Sequence, residues 1–583
     1  MESRLIYKLY RKFRFSGTNV LIVLAIIVGV ATAFGAIGFI ALIKYFNNLF
    51  FGLTDQVLIG ALGSQDFKFH LPLIPMLGGL LVGPIVYKFA SEARGHGVPE
   101  VMNSVARMGG IIRPRVAIAK TVASAICIGS GGSAGREGPI VQIGSAIGST
   151  IGRTLRLSGD RVKILVGCGA AAGISAIFNA PIAGVFFTLE IILGDFAIKT
   201  FSPVILSSVI ASVVVRYFLG DYPAFEIPEY SLVSAWEIPL YVIMGGVMSV
   251  LGVTFTRLLD FIEDAFEKIK VNSLLKPAIG GLLLGVIAIF YPQILADGYE
   301  TIKLTLEGNM PLKLLLVLIV MKLLATSMTL GSGNSGGIFS PSLFMGAVAG
   351  GAYGILVNYL FPDVTATPGA YALVGMAGMV AATTHAPITA LLIIFEMTSD
   401  YHIILPLMVT VVFSALGAGK LYEHSIYTIK LAKKGINIKG GKDINVLRSH
   451  NVSVVMDETF QTIPSNMSLA KILHTIEHAN ESYFIVTDKD DLMCGVLSFR
   501  DIRLLLTQHS LDYLIIAQDV VKTDTVSVTK SCTLEEAYQL FNLRDLQMMP
   551  VVEDKNSNKV IGVIRREALM NYYNKKLIDT LHR

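Results

Sequence analysis

Two runs constrain this chain more than anything else in it. Phe15 to Ile43 and Leu323 to Pro362 contain no Asp, Glu, Lys or Arg. An uncharged apolar run of about 18 residues or more is stable in a bilayer as a helix, whose backbone groups are all bonded within the segment. Several such runs make the chain a polytopic α-helical membrane protein. Composition agrees: 16% of residues are charged, against about 25% in ordinary soluble domains, and the mean hydropathy is +0.62. At 583 residues the chain also exceeds what one core holds, so more than one domain is expected.

The charges that remain sit at the flanks. Arg4, Lys8, Arg11, Lys12 and Arg14 precede the first run, and Lys430, Lys433, Lys434, Lys439 and Lys442 follow the last. The first run is too long for a signal-peptide core and lacks a small-residue cleavage site. By the positive-inside bias, both termini are expected in the cytoplasm of an inner or plasma membrane. Such flanks account for the net charge of +5 without a nucleic-acid partner. Cys127, Cys168, Cys494 and Cys532 are scattered without metal-ligand spacing, so reduced thiols and no metal site are expected.

Apolar character ends near Leu431, and a polar, β-rich tail follows a Gly/Lys linker. Within the apolar part the sequence repeats. "GSGGSAGREGP" at 129–139 aligns without gaps to "GSGNSGGIFSP" at 331–341. "FNAPIAGVFFTLE" at 178–190 aligns to "THAPITALLIIFE" at 384–396. Matched motifs in the same order imply two related halves. Repeats with Gly- and Pro-interrupted helices are a transporter signature, with the site where the halves meet.

Gly129 to Pro139 is not a phosphate loop: no Lys-Ser/Thr follows, and the second copy has Ile338 and Phe339 where the first has Arg136 and Glu137. Both copies keep small residues ahead of a helix start. There, unpaired N–H groups and the positive end of the helix dipole attract an anion. Two such starts converging from two halves would hold one dehydrated anion without a buried Lys or Arg. An ionised Glu at membrane depth costs on the order of 2.5–3.5 kcal/mol unless paired or hydrated. Glu137 therefore reads as a tethered substitute for the permeating anion, blocking the site when ionised and leaving it when protonated. The alternative reading is a structural pairing of Arg136 and Glu137 with other groups.

With these motifs together, the sequence resembles the CLC family of chloride channels and proton/chloride exchangers, of prokaryotic type, over nearly its whole length. "GREGP" (135–139) matches the signature bearing the gating glutamate, Glu137, with Arg136 and Gly138 beside it. "GGIFSP" (336–341) matches the segment whose amides, at Ile338 and Phe339, contact chloride. "SIYTIKLAKKG" (425–435) resembles the last membrane helix, whose Tyr427 closes the inner side of the chloride path. The resemblance implies a homodimer in the lipid bilayer, one pore per subunit, and an inverted-repeat fold of tilted and broken helices.

Two departures from the family pattern follow. The family's "GSGIP" stands here as "GHGVP" (95–99), so His96, ahead of Gly97, replaces a chloride-facing serine. Its imidazole either donates to the anion or turns away and leaves backbone amides alone. Exchangers carry a proton-relay Glu directly after the position of Glu190, where this chain has Ile191. That substitution favours a passive chloride channel gated by Glu137. The alternative is a proton-coupled chloride antiporter, with adjacent Glu190 substituting as relay. Glu190 and Glu396 read equally as helix-capping carboxylates. No nucleophile–base–metal set occurs in the apolar segments, so a transporter rather than an enzyme is expected.

The tail repeats as well. "SLAKIL" (468–473) is echoed by "TLEEAY" (533–538), where Thr533 and Glu536 form a capping box. "SYFIVTD" then "GVLSFRDI" is echoed by "MMPVVED" then "GVIRREAL". A helix, two strands and a helix, twice, resembles a tandem pair of CBS domains. The resemblance implies an adenine nucleotide site (ATP, ADP or AMP) using Ser498 and Asp501, with Arg565 and Glu567 in the second copy departing from the pattern. A purely structural dimerisation tail is the other reading. The expected organisation is a transport domain over 1–435, with repeats at about 60–220 and 235–430. A linker over 436–445 and CBS domains over 446–511 and 512–583 complete it.

Overall fold

The computed structural model describes residues 17–52, 71–221, 232–398, 400–436, 450–479, 482–502, 514–544, 546–554 and 558–581. It also describes positions 225, 230, 438–439, 442–443 and 447. The basic N-terminal flank and much of the linker lie outside these residues. The chain divides into two compact units, Met1–Lys442 and Asp443–Arg583.

The first unit is helical apart from the two-residue strand Ile438–Lys439 near its end. Its helices are α1 (Gly17–Asn47), α2 (Leu73–Pro84), α3 (Val98–Arg107), α4 (Pro114–Gly129), α5 (Glu137–Thr154), α6 (Gly159–Phe178) and α7 (Pro181–Phe187). A π-turn, Thr188–Leu193, extends α7, and α8 (Ile198–Leu219) completes the first half. The second half holds α9 (Glu237–Lys268), α10 (Lys276–Phe290), α11 (Tyr299–Leu306), α12 (Leu312–Gly331) and α13 (Phe339–Leu360). It continues with α14 (Pro368–Thr384), α15 (Pro387–Thr398), α16 (Ile404–Leu421) and α17 (Ile429–Lys433). Among the described residues, seven helices are long and apolar enough to cross a membrane. They keep large apolar side chains outward, among them Tyr217, Phe261 and Tyr359, as helices solvated by lipid do.

The repeat read from sequence is a repeat of backbone. A Cβ added at Gly144 on α5 would lie 2.1 Å from the carbonyl oxygen of Gly169 on α6, so only glycine permits that crossing. On α13 and α14 the aligned glycines, Gly346 and Gly375, make the same crossing; a Cβ on Gly346 would meet Gly375 O at 2.5 Å. Helix α6 ends on Asn179 and α14 on His385, both left-handed at φ 56° and 57°. A proline then opens the next helix in each half, α7 at Pro181 and α15 at Pro387.

These two helix starts are capped across the halves. Glu396 accepts hydrogen bonds from Ile182 N (3.0 Å) and Ala183 N (2.6 Å) on α7. Glu190 accepts from Ile388 N (3.2 Å), Thr389 N (2.8 Å) and Thr389 Oγ1 (2.6 Å) on α15. Each carboxylate answers orphan donors and the positive end of the other half's helix. Of the two readings for these residues, the capping one is what the geometry contains.

The second unit contains two copies of one motif. Strands β1 (Thr462–Pro464), β2 (Tyr483–Thr487) and β3 (Met493–Ser498) form one sheet, with α18 (Leu469–Glu477) between β1 and β2. Strands β4 (Val528–Thr529), β5 (Met548–Val552) and β6 (Val560–Arg565) form the other, with α19 (Leu534–Leu543) between β4 and β5. Each sheet begins with a parallel pair and ends with an antiparallel one, and both carry a register shift near the end of the middle strand. The capping box is present: Thr533 Oγ1 accepts from Glu536 N, and Glu536 Oε2 accepts from Thr533 N. The leading short strand of each copy is additional to the sequence reading. Its two or three residues carry too little alternation to be read from sequence.

Candidate functional site

The starts of α5 and α13 face each other through their preceding loops. Gly135 N donates to Gly337 O (2.8 Å) and Gly337 N to Gly135 O (2.6 Å). These two glycines occupy aligned positions of the repeat. A third segment joins them: Gly95 N donates to Asn334 O, and Gly336 N donates to Gly95 O. Three irregular backbone segments are thus tied together inside the unit, which membrane depth permits only where protein or a cavity surrounds them.

Glu137, the first residue of α5, is 2% exposed. Its Oε1 accepts from Ser340 Oγ on α13, while Oε2 has no hydrogen-bond partner among the described residues. Glycine explains how it fits. A Cβ on Gly135 would lie 2.0 Å from Glu137 Oε2, and one on Gly337 would lie 2.6 Å from the same atom. The paired glycines are the walls of the slot that admits the carboxylate.

Arg136 does not pair with Glu137. Its guanidinium lies over the Tyr299 ring at 4.9 Å and 3.8 Å from Asp297 Oδ2, at the start of α11. Ile338 and Phe339 are buried where α13 begins, and Phe339 packs on Phe178 at 5.5 Å between ring centroids. As first-turn residues they carry N–H groups without intrahelical acceptors. Gly138 is pressed against His96: a Cβ there would lie 2.1 Å from His96 O. Gly97, at φ 83°, turns the chain into α3.

His96 is 5% exposed, and its Nδ1 is buried without a hydrogen-bond partner among the described residues. Its ring lies 5.9 Å from that of Tyr427, itself 2% exposed. Tyr427 stands in the turn just ahead of α17 rather than within a long last helix. Ile191 is 9% exposed in the π-turn after α7, inside the apolar core. Glu137, Gly138, His96, Gly97, Ile338, Phe339 and Tyr427 therefore gather around one locus. Arg136 flanks it through Asp297 and Tyr299, and Glu190 is committed elsewhere.

Sequence reasoning missed two lysines. Lys120 on α4 is fully buried and donates to Ala93 O (3.1 Å) and Gly95 O (2.6 Å). Lys322 on α12 is fully buried and donates to Ile294 O (2.9 Å) and Ala296 O (3.0 Å). Each anchors the segment leading to a Gly-started helix, α3 at Gly97 and α11 at Gly298. The signal was available: the two occupy aligned positions of the repeat, each the same distance ahead of its glycine loop. On one face, Lys430 meets Glu263 (3.0 Å), Lys433 meets Asp260 and Asp264 (both 2.7 Å), and Lys434 meets Glu100 (3.3 Å).

In the tail, Ser498 ends β3, and Asp501 stands on the short helix Phe499–Ile502 with its side chain outside the described residues. A cleft of about 400 Å³ is lined instead by Phe460, Tyr483, Arg565 and Glu567 among others, and Ser498 is not one of them. At its edge Asp457 accepts from Thr459 N and Oγ1 and from Arg565. The Thr459 hydroxyl, then its amide, then Arg565 hold the Asp457 carboxyl down to about 2.

Residues 78–419 match the model of the voltage gated chloride channel family, and residues 452–507 and 517–575 match that of the CBS domain. A putative chloride channel protein ClcB-like from Ralstonia nicotianae is 34% identical over 413 residues, which span 70% of this chain and 96% of that protein. An H(+)/Cl(-) exchange transporter ClcA from Vibrio cholerae is 34% identical over 351 residues, 59% of this chain and 75% of its own. A solved slow cyanobacterial Cl-/H+ antiporter is 28% identical with a TM-score of 0.66, covering 71% of this chain and 97% of that one. A eukaryotic CLC transporter shares the fold over 95% of this chain and 99% of its own at a TM-score of 0.64, with 22% identity.

Proposed function

The chain belongs to the CLC family of voltage-gated chloride channels and chloride exchangers, and from that premise we propose that it exchanges chloride for protons across a membrane. The observation that carries this reading is the Glu137 carboxylate, held in a glycine slot between two helix starts with Oε2 unpaired. Helix dipoles and first-turn N–H groups favour one negative charge there, which is either the carboxylate or chloride. Taking a proton neutralises the side chain, removes its claim on the site and carries the proton with it. Chloride then enters as the proton leaves, which is exchange. The likeness to a solved Cl-/H+ antiporter at 28% identity supports this over the passive channel favoured by sequence alone.

In this reading chloride contacts His96, Gly97, Gly138, Ile338 and Phe339, Tyr427 bounds it on the inner side, and Arg136 sets the outer approach. Two copies form the working dimer in an inner or plasma membrane. Both termini lie in the cytoplasm, as the positive-inside bias of the basic flanks predicts. The halves over about 60–220 and 235–430 are the inverted repeats. The tail, with CBS domains over 446–511 and 512–583, takes an adenine nucleotide. The sequence motif supports a site at Ser498 and Asp501, and the cleft at Phe460, Tyr483, Arg565 and Glu567 offers a second one.

A passive channel is the second reading. It is favoured by Ile191, which cannot carry a proton, and by Glu190, whose oxygens cap α15. Purified protein in liposomes clamped at zero voltage separates the two. A chloride gradient that drives proton uptake supports exchange; chloride flux with no proton movement leaves the channel.

A further inference from the structure

Exchange requires a proton acceptor on the inner side of Glu137, because a proton does not cross an apolar segment without one. Neither neighbour on the π-turn supplies it. Ile191 is aliphatic, and both oxygens of Glu190 accept hydrogen bonds from α15. Lys120 is committed to Ala93 O and Gly95 O, and Lys430 to Glu263. What is left beside the site is an imidazole with a buried, unpartnered nitrogen.

We propose that His96 is the inner proton station of this transporter, passing protons between cytoplasmic water and Glu137 along the chloride path itself. This rests on the exchange reading above. Three observations carry it. His96 Nδ1 is buried and has no hydrogen-bond partner among the described residues, in a residue that is 5% exposed. The backbone of His96 is packed on Gly138, the residue after Glu137. Tyr427, whose ring lies 5.9 Å from the imidazole, is buried beside it in the turn ahead of α17.

The charges facing the ring explain why proton passage would be tied to chloride. Lys120 on α4 stands against Gly97 and the Lys430 ammonium on α17 against Gly95, the two glycines that flank His96, while Glu100 on α3 is paired with Lys434. A proton on the imidazole would make a third cation in this volume, and Glu137 is the carboxylate on the far side. Chloride in the site is the missing counter-charge, so the ring takes a proton when the anion is present. The transfer balances without a co-reactant. Cytoplasmic water gives a proton to one ring nitrogen while chloride is in the site. As chloride leaves and the Glu137 carboxylate takes its place, the other nitrogen releases its proton to that carboxylate, and the resulting acid releases it outside. The ring is left neutral in its other tautomer and resets by rotation about its side-chain bonds. An imidazole can do this because it has two distinct nitrogens.

The test uses the full-length protein in liposomes clamped at zero voltage, with proton and chloride movement recorded together. The wild type is expected to move protons against the chloride gradient. In His96→Asn and in His96→Gln the ratio of protons to chloride is expected to fall tenfold or more. The chloride rate changes as well, because the side chain lines the site, so the ratio is the diagnostic quantity. A smaller fall in either variant that elutes as folded protein overturns the relay while leaving exchange intact. Loss of chloride flux together with protons, at an unchanged ratio, also overturns it and makes His96 an anion contact only. A wild type that moves no protons overturns the exchange reading and the relay with it.

Discussion

The two halves of the membrane unit share a backbone and differ in the side chains at the helix start that faces the site. Gly135 and Gly337, Gly144 and Gly346, Asn179 and His385, Lys120 and Lys322, and Glu190 and Glu396 are partners in position and in job. At the helix start the equivalence ends: the first half presents Arg136 and Glu137, the second Ile338 and Phe339. The shared residues build two anion-attracting helix starts. In the proposed exchange the unshared carboxylate makes the site switchable by a proton, so that a symmetric frame serves binding and the asymmetric Glu137 serves gating.

Removing the asymmetry is expected to have the largest effect. In Glu137→Gln neither helix start presents a carboxylate, so chloride flux becomes constitutive and insensitive to pH, while acid opens the wild type. Proton movement falls by roughly 10²-fold or more, the scale of losing a positioned acid–base group. Paired chloride and proton fluxes in liposomes between pH 5 and 8 check this. A variant that still closes at neutral pH would mean that the carboxylate is not the gate.

The glycine slot is next. Gly135→Ala and Gly337→Ala each place a methyl group well inside contact distance of Glu137 Oε2. The carboxylate is displaced, and chloride leaks at neutral pH from a protein destabilised by about 1–3 kcal/mol, the usual cost of overpacking. Thermal melting in detergent and liposome efflux measure both. Closure as tight as wild type in either variant would show that the slot does not hold the gate.

The buried lysines divide the halves in a subtler way. Ala93 O also accepts from Ser335 Oγ, and Gly95 O from Gly336 N, so both carbonyls keep a donor in Lys120→Met. Lys322→Met removes the donor that holds Ile294 O and Ala296 O. An unpaired buried carbonyl costs about 1–3 kcal/mol, so Lys322→Met is expected to melt at the lower temperature. Lys120→Met is expected to change chloride affinity more, because Lys120 underlies Gly97 and faces His96. The reverse order in both measurements would break the assignment.

What was legible in the sequence follows the same division. The glycine loops, Glu137 and the duplicated tail were readable because they are local strings that recur. The membrane class was readable from uncharged apolar runs, and among the described residues seven helices are long and apolar enough to cross a membrane. The partners of Arg136 were not readable, since Asp297 and Tyr299 belong to the other half and meet it only through the fold. The tail cleft at Arg565 and Glu567 was missed for a related reason. The motif in the first copy drew attention to Ser498, whereas the cleft is lined from both copies.

The smallest expected effect concerns the cross-half caps, and it bears on the proton path. Glu190 and Glu396 each satisfy the first-turn amides of a Pro-started helix in the opposite half, and Glu190 accepts from the Thr389 hydroxyl as well. Losing a helix cap costs about 1 kcal/mol. Glutamine keeps an acceptor oxygen and loses the charge that favours the helix dipole, which is itself worth about 0.3–1 kcal/mol. Glu190→Gln and Glu396→Gln are therefore expected to lower stability by similar fractions of a kcal/mol, Glu190→Gln slightly more, with the proton-to-chloride ratio unchanged in both. Equal behaviour makes them one structural device used twice. If Glu190→Gln alone abolishes proton movement, the halves differ at a second carboxylate. The relay then runs through Glu190, and His96 is left as an anion contact.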